Sequence, residues 1–170
     1  ILPVLIKGSE IFIFNNNFFY ENWNKFNENS LAEFILPIEN IEIIKKVNDF
    51  KDNLISLNLK NLFEEYSDKN LALILIEDNL NNVRKVFIKS IVQGKTISKS
   101  LNFKTQNLST EALYKKIIID TKHELINLVK SENLIDIRTP SFLNVKLDLN
   151  KKSNLVELNS RIKDIDSIEG

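Results

Sequence analysis

Residues 71–77 read LALILIE. A strand with one wet face alternates apolar and polar side chains, and six apolar residues in succession leave no position for water. This stretch is therefore expected to be a central strand, covered on both faces by other elements. Its apolar run, residues 71–76, is the longest in the chain, far short of the roughly 20 residues that a membrane helix requires.

The neighbours supply candidates for the rest of the sheet. Residues 1–6 and 10–14 are short β-rich runs separated by Lys7-Gly8-Ser9, the pattern of a hairpin with glycine at its turn. Residues 83–92 and 95–103 form a second pair joined at Gln93-Gly94. In its second strand Ile97, Leu101 and Phe103 alternate with Thr96, Ser98, Ser100 and Asn102, which predicts one buried face and one wet one. Residues 33–36 read as another brief strand, stopped by Pro37.

Helical spacing accounts for much of the remainder. Asn15-Asn16-Asn17 is a natural turn and N-cap, followed by Phe19, Trp23 and Phe26 on one helical face. Residues 38–50 hold a charged, weakly helical stretch. Leu59, Leu62, Phe63 and Tyr66 mark an amphipathic helix capped by Asn58. Ser109 or Thr110 caps a long helix to about Asn133, with Tyr114, Ile117, Ile118, Leu125, Leu128 and Val129 as its apolar stripe.

After Thr139-Pro140 an alternating strand (Leu143, Val145, Leu147, Leu149) leads into a helix carrying Leu155, Leu158, Ile162 and Ile165. The expected fold is thus α/β (α+β): a mixed sheet with packed helices over residues 1–138. Residues 139–170 follow as the first half of a small ferredoxin-like split βαβ unit, truncated here. Methionine is absent throughout, so the chain is expected to be a processed product or a segment of a longer one.

Composition narrows the chemistry. With 170 residues, 43% of them hydrophobic, the chain can bury a substantial core. Its 23 basic and 23 acidic residues are mixed along the length, which argues against nucleic acid as a partner. Only Arg84, Arg138 and Arg161 can provide guanidinium forks, which counts against an anionic substrate. Cysteine is absent, removing disulfides, thiol catalysis and thiolate metal sites.

Individual motifs carry little. Eight of the fifteen aromatic residues fall between Phe12 and Phe34, and such rings can stack on bases, but their helical spacing favours a core. The QGKT phrase at residues 93–96 has Lys89 where a phosphate loop needs glycine, and it sits at a hairpin tip. His123-Glu124 lacks the second histidine of the zinc-protease pattern. Glu64-Glu65, Glu77-Asp78 and Asp164 with Asp166 are acidic pairs of the kind common on solvated faces. Asn107-Leu108-Ser109 fits the glycosylation pattern, a signal too short to weigh. No catalytic, cofactor-binding or metal-binding residue is therefore assigned, and no cofactor is expected.

The order of phrases adds a resemblance. ILPVLIKG, the aromatic FFYENWNKF, LAEFILPIENIE, a helix ending LFEEYSDKNLALILIE, a hairpin and a long helix together resemble an exported proteobacterial family, domain of unknown function 2066. Trp23, Pro37, Ile41 and Glu42 match in order its tryptophan helix and its "PLGDLED" segment. Asn40 stands where the family tends to have Asp, Glu39 replaces Gly, and Ser67-Asp68 interrupts the "YGA" phrase after Tyr66. The resemblance implies a periplasmic location, a signal peptide upstream of Ile1 and no known enzymatic activity. In element order, residues 59–133 are also similar to the N-terminal domain of the TolB translocation protein and to the curli secretion lipoprotein CsgG, envelope proteins that work through protein contacts. The leading expectation is a non-enzymatic envelope domain that binds an envelope protein partner. The alternative is a small-molecule binder or hydrolase with a cleft near Trp23.

Overall fold

The computed structural model describes residues 1–26, 32–78, 83–105 and 108–133, all within the first of two units into which the chain divides, Ile1–Leu134. The second α+β unit expected at 139–170 lies outside the described residues, as do the asparagine-rich loop at 79–82 and Asn107. Five strands, β1 (Leu2–Lys7), β2 (Glu10–Phe12), β3 (Leu71–Glu77), β4 (Val83–Val92) and β5 (Lys95–Lys104), form one sheet in the order β2-β1-β3-β4-β5. β1 and β3 are parallel and the other pairings antiparallel, so the sheet is mixed. β3 is its middle strand, as its unbroken apolar run requires.

The period of two in β3 sorts its side chains onto two cores. Leu71, Leu73 and Leu75 face one side, with Leu2 and Val4 of β1, and are covered by α2 (Ile41–Asp49) and α3 (Leu59–Leu62). Ala72, Ile74 and Ile76 face the other, with Leu5, Val86 and Ile88, under α1 (Phe18–Asn22) and α4 (Thr110–Asn133). Helices on both faces give three layers around the β1–β3 half. On β5 only the α4 side is covered, with Thr96, Ser98, Ser100 and Asn102 exposed on the other, while Phe87 and Ile91 of β4 still pack against the α2–α3 core.

Local chemistry fixes the ends of these elements. Gln93 and Gly94 both take positive φ, 49° and 80°, the backbone that a two-residue hairpin turn needs to match strand twist. Asn40, Asn58 and Ser109 accept from backbone N–H groups at the starts of α2, α3 and α4. Pro3 sits inside β1, yet β2 pairs only with Leu5 to Lys7, so on that side β1 is an edge where proline's missing donor has no partner to fail.

Three expectations need correction. Residues 33–36 form no strand: they join no ladder of the sheet, and the Ile1 backbone nitrogen donates to the Ile35 carbonyl at 2.8 Å. The Phe19–Phe26 helix ends early, passing after Asn22 into a 3₁₀ turn at Trp23–Lys25. Likewise the helix marked by Leu59 to Tyr66 is one turn, Leu59–Leu62, followed by a 3₁₀ turn at Glu64–Tyr66. In both, aromatic residues crowd the following turn, and side-chain packing rather than continued helix sets the backbone.

Candidate functional site

Asn17 organises the aromatic segment. It is wholly buried, and its Nδ2 lies 2.9 Å from the Pro3 carbonyl, 3.0 Å from that of Phe12 and 2.9 Å from that of Ile13. Its Oδ1 accepts from the N–H groups of Phe19 and Tyr20, capping α1. One side chain thus replaces the strand partner that β1 lacks at Pro3 and starts the helix that carries the rings. Phe19 and Trp23 are completely buried against the sheet and α4.

Lys122 closes the far end of that segment. It is 4% exposed, and its Nζ donates to the carbonyls of Trp23 at 2.7 Å and Phe26 at 3.0 Å. The ammonium also faces the rings of Trp23 and Phe34, 5.8 and 5.5 Å from their centroids. Burial lowers its pKa from the ordinary lysine value. Four residues after Ile118 and three before Leu125, Lys122 lies on the apolar stripe itself. That position was readable in the sequence. Its acceptors, nearly a hundred residues earlier, were not.

Beside this pin is a pocket of about 270 Å³ at the end of the sheet where β3 begins. Ala72 and Ser90 are register partners on the α4 side of β3 and β4, and these two small side chains leave space under Leu125 and Val129 of α4. Phe34, Phe63 and Leu71 complete the apolar wall, while the exposed Glu33, Lys69 and Asn70 stand at its rim. Ser90 directs its hydroxyl to the Ile97 carbonyl at 3.3 Å. Trp23 does not line the pocket; its ring stands 6.4 Å from that of Phe34, which does.

A second polar group forms where β3 ends. Asp78 pairs with Arg84 of β4 and accepts a hydrogen bond from the Tyr114 hydroxyl of α4. Burial, then the bond to Asp78, raises the Tyr114 pKa well above the usual phenol range, so the phenol stays a donor at neutral pH. The sequence offered Asp78 as half of an acidic pair and Arg84 as one of three guanidinium sources. Their mutual satisfaction, with an α4 tyrosine as third member, makes a strut between sheet and helix.

The other residues weighed in the sequence are dispersed. His123 is exposed on α4. Glu64 pairs with Lys46 at 2.9 Å across the surface. Lys95 of the QGKT phrase pairs with Glu132 at 2.7 Å. Asp164, Asp166, Arg138 and Arg161 fall outside the described residues. Among the described residues, no three His, Cys, Asp or Glu side chains gather as a metal set, and no helix is long and apolar enough to cross a membrane.

No protein-family model matches the chain, and no curated protein matches it. A solved structure described only as an uncharacterized protein aligns over 77% of this chain and 80% of its own, with 14% identity and a TM-score of 0.30.

Proposed function

We propose that this chain is a non-catalytic binding domain that works by contact with another protein, through the segment from Ile35 to Ile41. The observation that carries this reading is the exposure of three isoleucines within seven residues: Ile35 at 47%, Ile38 at 81% and Ile41 at 69%. Single exposed apolar residues are ordinary on a protein surface, whereas a cluster on a held segment marks a contact site. Here the segment is held. The Pro37 carbonyl accepts from the Tyr20 hydroxyl at 2.8 Å, Glu39 accepts from the Asn15 side chain at 3.0 Å, and Asn40 caps α2. A rigid apolar ridge loses little conformational entropy on binding.

The bacterial envelope enters this proposal from the family resemblance alone. The alternative of a hydrolase draws no support from the two buried polar clusters, because Lys122 and Asp78 are each engaged by structural partners.

The test is a photoreactive side chain in place of Ile38, introduced into the full chain in its producing cell. A discrete adduct with a second protein is expected, absent when the same group replaces Lys95 on the hairpin tip, and lost on adding Ile41→Asp. Absence of an adduct at 38, or equal labelling at both positions, would contradict the proposal.

A further inference from the structure

We infer that the pocket beneath α4 is a binding site for a neutral, largely apolar small molecule, entered past the rim formed by Lys69 and Asn70. Its volume, about 270 Å³, is somewhat under twice that of the engineered apolar cavity of roughly 150 Å³ that stays dry and accepts benzene. Scaled on that basis, the ligand has about ten non-hydrogen atoms.

The lining selects its polarity. Phe34, Phe63, Leu71, Leu125 and Val129 give the ligand no hydrogen-bonding group to meet, and the buried hydroxyl of Ser90 is already directed at Ile97. A charged ligand would lose its hydration against these five side chains, and of the polar groups that also line the pocket, the Ile1 nitrogen already donates to the Ile35 carbonyl and Tyr66 offers only a neutral hydroxyl. At the rim, the Lys69 ammonium is paired with Asp68 at 2.8 Å, and Glu33 adds a second carboxylate. That arrangement disfavours an acid and leaves a hydroxyl or amide end free to reach water.

The site is built rather than incidental. Its floor exists because the two smallest inward side chains of β3 and β4, Ala72 and Ser90, face each other in register. Phe34 of its wall is in turn fixed against α4 by the Lys122 ammonium, 5.5 Å from the ring centroid and bonded to the Trp23 and Phe26 carbonyls. The pocket shares Ile35 and Pro37 with the protein-contact segment, whose outer side chains Ile38 and Ile41 do not line it.

Calorimetric titration of the full chain with nonan-1-ol and with octanoate, molecules of matched size, tests it. Nonan-1-ol is expected to saturate one site and to bind at least about tenfold more tightly than octanoate, since only the acid brings a buried charge. The emission of Trp23, the single tryptophan, should shift in step because Phe34 connects it to the pocket. Ser90→Leu fills the floor and Val129→Phe the roof, and each should weaken nonan-1-ol binding by about tenfold or more while unfolding remains cooperative. If Ser90→Leu fails to fold, Val129→Phe decides. Absence of saturable binding, tighter binding of octanoate, or unchanged affinity in Val129→Phe would overturn the inference.

Discussion

The α2–α3 face of the sheet is closed by aliphatic side chains. Ile43, Val47, Leu54, Leu57, Leu59 and Leu62 meet Leu2, Val4 and the three leucines of β3, with Phe63 and Phe14 at the edges. The α1–α4 face is closed by rings, Phe19, Trp23 and Tyr114 among them, and it also holds the buried polar groups Lys122, Thr121 and Ser90. Aliphatic packing needs only volume and apolar character, so any one contact there has many substitutes. The ring-lined face depends instead on a few directional contacts, Asn17 at one end and Lys122 at the other. The same sheet is thus covered once by redundancy and once by specification. Space for a ligand opens under α4 on the specified side, whereas the exposed ridge runs into α2, which covers the other.

That contrast can be broken most forcefully at its largest ring. Trp23→Ala should cost about 3–5 kcal/mol in a chemical denaturation experiment. A loss below about 1 kcal/mol would place Trp23 outside the core and undo the comparison. Next is Asn17→Ala. It uncaps α1 and takes the Asn17 donor from the carbonyls of Pro3, Phe12 and Ile13, for a loss of about 3 kcal/mol. An aliphatic truncation of similar burial, Val47→Ala, should cost less, about 2 kcal/mol, if redundancy is the right description of the other face.

Smaller effects test the polar pins by pH. Burial lowers the Lys122 pKa, so between that lowered value and the ordinary 10.5 the unfolded chain binds more protons. The contribution of Lys122 to stability therefore rises with pH across this window. Lys122→Met should remove that rise and cost about 1 kcal/mol at neutral pH, because two carbonyls lose their donor while the burial of a charge is relieved.

Tyr114 acts with the opposite sign. Its pKa is raised above the ordinary 10.0, so its contribution is complete below pH 10 and is lost as pH climbs from there toward the folded value. Tyr114→Phe should flatten that alkaline loss, at a neutral-pH cost of about 1 kcal/mol for the missing bond to Asp78. Parallel alkaline curves for the wild type and Tyr114→Phe would remove the strut from the account.

Much of the scaffold was legible because it is encoded locally. The run from Leu71 to Ile76 forced a central strand, Gln93-Gly94 a tight hairpin, and Asn17, Asn58 and Ser109 three helix starts, while the Asn40 cap of α2 was missed by a reading that began that stretch at residue 38. What escaped the sequence depends on partners far along the chain. Residues 33–36 have strand character, but they join no ladder of the sheet, and the Ile35 carbonyl accepts from the Ile1 nitrogen instead. The place of Lys122 on the apolar stripe is in the sequence, but the Trp23 and Phe26 carbonyls that satisfy it there are not. The pocket arises from two small residues whose register no single strand reveals. In each case the missing information is a distance in space, not a residue preference.

The central claim is that the opening aromatic cluster is scaffold, and the single tryptophan reports on it directly. Collisional quenching of Trp23 fluorescence by acrylamide in the folded chain should be weak, with blue-shifted emission, because the indole is fully enclosed. Quenching as efficient as that of a free indole in water would show the ring open to solvent and contradict the account.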